Sequence, residues 1–421
     1  MARIIRDFLI ALKQVFIGSA RYYVWVGFLL LMIIMGASAY CDQIHSGLII
    51  TAMRDQVSWG FYISNFTFLV GVAAASVLLA VPAYLYHFKP IKEIVLFGEL
   101  LAITAIVMCI LFILVDMGHP EKVWHLLPVI GMMNFPRSLL TWDVIVLNGY
   151  LAINAVIVFY VLYRLHSGEE YKMSLIGPLP GPLLLILLSI PWAVSIHTVT
   201  AFLYNGLSSR PFWNASILAP RFLASAFCSG PALMLVLLQI IRKLSEVKID
   251  DAAIFKIAEL IAYAMGVNLF LLGAEVFKEF YSGSIHSYPI RYLYFGLHGK
   301  TGVVPWIWTA TVLNITAFLL FLFPKTRRNF KTLNAGCVFI IFGVYIEKGL
   351  GLVVPGFVPD TLGEIYEYFP TRTEILIAMG IWAAGALLYT MLLKFAIPIY
   401  IGGKLKLENG SADTSIESVQ I

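Results

Sequence analysis

Long apolar runs alternate with short polar stretches along the whole chain. Ten runs reach the roughly 20 residues that a bilayer-spanning helix needs: about 22–41, 58–86, 93–116, 141–164, 183–205, 220–241, 254–277, 302–324, 332–353 and 373–395. Several are longer than the hydrocarbon core requires, which predicts tilted helices or ends that project from it. The pattern therefore predicts an all-α integral membrane protein with about ten transmembrane helices. Residues 1–21 carry scattered charges and read as an amphipathic cytoplasmic segment with no separate signal peptide. Residues 401–421 end in the polar run "ENGSADTSIESVQI" and are expected to be a disordered cytoplasmic tail.

Composition agrees with the pattern. Of 421 residues, 60% are hydrophobic and 13% charged, with a mean hydropathy of +0.87, more apolar surface than a soluble domain can bury. The net charge of +5 matters less than its placement. With the N terminus inside the cell, 19 of the 29 Lys and Arg residues fall on the inner side. That bias predicts a multi-pass protein of the cell membrane with both termini cytoplasmic.

Polar residues then collect near one leaflet. The run "LLTWDVIVLNGYLAINAVIVFYVLYR", residues 139–164, opens with Trp142 and Asp143 at the outer face. The second span starts there with Trp59, Tyr62 and Asn65, the last two sharing a face at i, i+3. The third ends there in "LVDMGHPEKVWHLL", with Asp116 and His119, and the fifth carries His197, Thr200 and Tyr204 on one face. Glu275 lies near the outer end of the seventh. Ionisable groups inside a membrane are expensive and by default mark a site. Asp143 and Trp142 also fit a helix N-terminal charge and an interfacial anchor, and His197 a bonded structural histidine.

Several chemistries are disfavoured. Only His197 of the eight histidines lies well within a span, so a facing pair of haem ligands is not expected. Cys41, Cys109, Cys228 and Cys337 sit in four separate helices, without metal or iron–sulfur spacing. No nucleotide-binding fingerprint occurs. No haem, iron–sulfur cluster, metal or nucleic acid is expected on this chain.

A weak internal repeat relates "TFLVGVAAASVLL" to "RFLASAFCSGPALML", and Glu99/Asp116 to Glu259/Glu275, at an offset of about 154 to 160 residues, or four helices. An even number preserves orientation, which predicts two parallel four-helix bundles, about 58–205 and 220–353, with flanking helices at about 22–41 and 373–395. Together they form a membrane domain over about 22–400.

At these residues the chain resembles the NrfD/PsrC family of polysulfide-reductase-type membrane subunits. The resemblance rests on "SWGFYISNFTFLVGVAAAS", "LVDMGHPEKVWHLL", "SLLTWDV" and "VSIHTVTAFLYNGLSSRPFWNASILAPRFLASAFCSGPALM". Ten spans point to the longer branch that includes DsrP and HmcC. The resemblance implies a haem-free subunit of a sulfur-linked anaerobic respiratory complex. It implies electron exchange between menaquinone and an attached ferredoxin-like iron–sulfur subunit on the outer face, beside other membrane and cytochrome subunits. It also implies a quinone pocket near the outer face of the first bundle. There Asp143 and His197 are expected to bond quinol and accept its protons. Trp59, Tyr62, Asn65, Trp142, Thr200 and Tyr204 would line the slot, and Asp116 or His119 would lead protons out. One departure is His119, where the family often carries Arg. Two other readings stay open. One is proton conduction through Glu99 and Glu259 in the inner half and Asp116, Glu275 and Glu347 in the outer half; the other is secondary transport.

Overall fold

The computed structural model describes residues 12–73, 75–86, 88–127, 130–167, 182–283, 285–360 and 362–409. Among them there is no strand, only two isolated bridges in turns. Ten helices are long and apolar enough to cross a membrane. They are α1 (Ala20–Ser46), α2 (Phe61–Ala83), α3 (Val95–Asp116), α4 (Leu139–His166) and α5 (Pro182–Asn205). They continue with α6 (Leu218–Leu244), α7 (Asp251–Ser282), α8 (Val304–Leu322), α9 (Phe330–Phe357) and α10 (Arg372–Asn409). α10 runs past the expected end near 395, with Pro398 inside it, and takes in residues 401–409 of the tail expected to be disordered. The expected disordered tail lies, beyond Asn409, outside the described residues, as does the N-terminal segment up to residue 11.

α2 is buried nearly all round, whereas the peripheral helices bury one stripe and give the other to their surroundings. On α7 the buried residues Ile254, Ile257, Ala258, Ile261, Met265, Asn268, Leu272 and Glu275 recur at helical spacing. Tyr263, Val267, Phe270, Phe277 and Tyr281 on the opposite face are exposed. Large apolar side chains all around the outside are what a lipid solvent accepts and water does not.

The helices α2–α3–α4–α5 pack in a ring that closes between α5 and α2, and α6–α7–α8–α9 close likewise between α9 and α6. The rings meet where α2 packs on α6, α5 on α6 and α9 on α2. α5 on α6 and α9 on α2 are interchanged by the same swap that exchanges the rings. α1 and α10 pair outside, with α10 lying against α3 and α4. A Cβ on Gly36 of α1 would come 2.7 Å from the Cα of Gly380 on α10. Only glycine permits backbones so close.

The connections that follow α1, α3, α5, α7 and α9 share one side, called the loop side; the opposite, basic side holds the start of α1. Glu374, fully buried in the first turn of α10, staples the loop side. Its carboxylate accepts bonds from the Ala52 amide at 2.9 Å, the Thr371 amide and hydroxyl at 2.8 and 3.0 Å, and the Tyr368 phenol. α9 breaks after Lys348, at Gly349, before its last turns. Such breaks are tolerated where protein covers them. Residues 351–358 are all buried, and the Trp213 indole donates to the Leu352 carbonyl at 2.9 Å.

Candidate functional site

Asp143 sits in the second turn of α4, fully buried. It does not cap the helix: Ser138 does, its hydroxyl accepting from the Thr141 amide at 3.4 Å. The Asp143 carboxylate instead accepts from the Thr200 hydroxyl of α5 at 2.8 Å, and its second oxygen has no partner among the described residues. One turn before Thr200, on the same face of α5, lies His197, also fully buried. Its Nδ1 stands 2.9 Å from the Ala193 carbonyl. A carbonyl can only accept, so in the neutral ring Nδ1 carries the hydrogen and Nε2 is the bare acceptor. That Nε2 also has no partner among the described residues. Two buried acceptor atoms, one on α4 and one on α5, are thus left open. Such atoms are costly unless something bonds them.

An aromatic cage stands on the loop side of this pair. Tyr204, one turn after Thr200, shares a 2.6 Å hydrogen bond with Thr67 of α2. Its ring meets Trp59 at 5.4 Å and Trp213 at 5.3 Å between centroids, both edge-on. Trp213 in turn packs edge-on against Phe357 at 4.8 Å. Thr67, Trp213 and Phe357 were not singled out from sequence. Trp213 had a signal in the stretch "SSRPFWNAS"; Thr67 and Phe357 had none, since only the packing of α2 and of the broken end of α9 brings them in.

The other expected site residues go elsewhere. The Tyr62 phenol donates to Gln43 of α1 at 2.6 Å, and Gln43 donates to the Val115 carbonyl at 2.7 Å. Asn65 accepts from the Tyr345 phenol of α9 at 2.9 Å and the Trp382 indole of α10 at 2.8 Å. The i, i+3 pair therefore points at α1 on one hand and at α9 and α10 on the other. Trp142 is half-buried and donates its indole N–H to the Pro136 carbonyl at 2.8 Å, anchoring the α3–α4 connection. Asp116 keeps one buried oxygen without a partner at the end of α3. His119 is exposed and bonds Glu121 at 3.0 Å.

Glu99 is buried on the basic side, with one oxygen unpartnered, beside a crevice lined by Lys92, Leu96, Ile157 and Val161. Glu259 is partly exposed, paired with Lys256 at 3.2 Å and bonded by Tyr263 at 2.9 Å. Glu275 and Glu347 are both held by Arg221 of α6, and Asn314 of α8 adds a 2.8 Å bond to Glu347. Arg221 had a plain signal, a lone cation one turn inside an apolar run. Among the described residues no three His, Cys, Asp or Glu side chains gather as a metal site.

The described residues form a bundle of ten membrane-length helices, with a buried acid and a buried histidine, each keeping an open acceptor atom, beneath aromatic rings. The family model "Polysulphide reductase, NrfD" matches residues 50–358, and the chain belongs to that family; it is a multi-pass membrane protein. A Halobacterium salinarum protein, provisionally named as a membrane subunit of dimethyl sulfoxide reductase, is 26% identical, over 86% of this chain and 88% of its own. A selenate reductase subunit of Mesobacillus selenatarsenatis is 24% identical, over 87% and 92%. The Hdr-like menaquinol oxidoreductase integral membrane subunit of Archaeoglobus fulgidus is 22% identical, over 90% and 94%.

Proposed function

We propose that this chain is the quinone-interacting membrane subunit of a multi-subunit respiratory oxidoreductase. It would exchange electrons between menaquinol and an attached iron–sulfur subunit on its outer, loop side. All three relatives are named as subunits of oxidoreductases, and one is named for menaquinol. The observation that carries the reading is the pair of open acceptors, Asp143 Oδ2 and His197 Nε2, buried under the cage of Trp59, Tyr204 and Trp213. A bound quinol supplies two electrons and two protons. His197 accepts one proton at Nε2, with Nδ1 held by Ala193 so that the ring presents the correct nitrogen. Asp143 accepts the other at Oδ2, while Thr200 fixes the carboxylate. The aromatic rings shield the pair from water and would offer apolar faces and edges to a flat ring. With its four cysteines spread over separate helices, the chain is expected to hand its electrons to a partner's cluster close to the loop side. The DsrP-like branch and a role in sulfur respiration belong to this proposal.

Glu99 favours a second role beside the first. Its open, buried oxygen next to a basic-side crevice suits proton uptake from that side. The deciding experiment for the main reading is His197→Ala in the intact complex. Quinol-dependent reduction of the partner is expected to fall by about a hundredfold with assembly unchanged. A normal rate in an assembled variant removes His197 from the site.

A further inference from the structure

On the basic side, away from the Asp143–His197 region, a crevice of about 500 Å³ opens between the end of α6 and the start of α9. Its walls change character in layers. Nearest the surface Lys243 of α6 lines it, and Lys331 of α9, outside the lining but one turn before Asn334, is exposed like Lys243. One turn deeper, Gln239 of α6 donates to Asn334 of α9 at 2.6 Å, which sets the two helices at the same depth. Val236 of α6 and Val338 of α9 lie one turn deeper again, and with Ile240, level with the polar pair, they make the apolar part of the walls. The spacing 236, 240, 243 on α6 and 331, 334, 338 on α9 keeps each series on one helix face. At 1.5 Å per residue, the three layers cover roughly 10 Å from cation to hydrocarbon.

The charge of the upper layer is available. Arg242 beside it is spent on Asp251 at 2.5 Å and lies over the Phe330 ring at 5.0 Å. Lys243 and Lys331 have no ion-pair partner among the described residues. A fixed polar pair in the middle layer, set between free cations and an apolar floor, matches a molecule with the same order of parts. That molecule has an anionic head, a polar linkage and a long chain.

We propose that this crevice binds one anionic glycerophospholipid from the leaflet on the basic side. Its phosphate sits between Lys243 and Lys331, its ester region against Gln239 and Asn334, and an acyl chain along Val236, Ile240 and Val338. Basic pockets between membrane helices recognise anionic headgroups in this way. A free phosphate would engage only the lysines and leave the apolar floor uncovered. The inference does not depend on the quinone reading.

The test uses the full-length chain, purified in detergent and given an equal mixture of phosphatidylglycerol and phosphatidylcholine, with bound lipid read by native mass spectrometry. One phosphatidylglycerol is expected to stay bound in preference to phosphatidylcholine. Lys243→Gln and Lys331→Gln should each lower its retention about fivefold, and the double variant about 25-fold. Ile240→Trp, which fills the apolar floor, should lower it as well, while Lys300→Gln on the opposite side should leave it unchanged. Equal retention of the two lipids, undiminished binding in the double variant, or an equal fall in Lys300→Gln would overturn the proposal. Displacement by millimolar inorganic phosphate would make this an anion site without a lipid, and would overturn it too. Helical circular dichroism on each variant separates lost binding from lost folding.

Discussion

Asp143 shows how much one side-chain partner decides. A carboxylate near a helix N-terminus is favourable on electrostatic grounds alone, and Asn would serve almost as well as a cap. Here Ser138 caps α4 and Asp143 bonds Thr200 across to α5, so a capping role no longer accounts for it. Asp143→Asn is therefore expected to leave thermal stability near wild type, whereas Ser138→Ala should cost about 1 kcal/mol. An amide takes up no proton, so Asp143→Asn should lower quinol oxidation by the intact complex about a hundredfold. Its residual rate should rise with pH as water takes over the acceptor role, and Asp143→Glu should keep more activity than Asn. The measurement is turnover against pH for all three proteins. Equal rates for wild type and Asn would leave the proton chemistry to His197 alone.

Among the elements, the second ring is tied by charge where the first is left open. Arg221 of α6 reaches Glu275 of α7 and Glu347 of α9, and Asn314 of α8 completes the set. Three helices are joined through one guanidinium at 11% exposure and the fourth through Glu347, so removing it leaves two buried carboxylates without their counter-charge. Arg221→Ala is expected to destabilise the protein by about 3–5 kcal/mol. Replacing Arg221, Glu275 and Glu347 together by apolar residues of similar volume should recover most of that loss, since a well-packed apolar set avoids the desolvation of charges. Thermal unfolding in detergent compares the variants, and an Arg221→Ala protein as stable as wild type would dismiss the network as a tie. Glu275 and Glu347, expected in the sequence as steps of a proton path, are here partners of a fixed cation.

The whole molecule has two unlike sides. Counted along the sequence, 19 of the 29 basic residues fall in the segments expected on the cytoplasmic side, and the long connections among the described residues lie on the other. We expect both termini in the cytoplasm and the loop side outside. Labelling of a C-terminal reporter by an impermeant reagent from outside would reverse that orientation, and the proposed docking side with it. The isolated chain is also expected to lack haem absorption, because one deep histidine cannot supply a facing pair of ligands. A b-type spectrum from the purified subunit would contradict this.

The sequence by itself determined ten helices and their order. Hydropathy and charge are local properties, and a lipid solvent converts them directly into span and position. It also singled out Asp143, His197, Thr200 and Tyr204, because polar groups at depth are rare enough to stand out. Rotation of each helix about its axis was decided only by tertiary packing. Tyr62 and Asn65 share a face by spacing, yet packing gives one to Gln43 of α1 and the other to Tyr345 of α9 and Trp382 of α10. The same packing brings Thr67 to Tyr204, and folds Trp213, from the connection between α5 and α6, and Phe357, from the broken end of α9, into one cage. Partners more than a hundred residues apart in the chain leave no local periodicity to read, so only the assembled bundle decides which polar atoms are satisfied and which stay open.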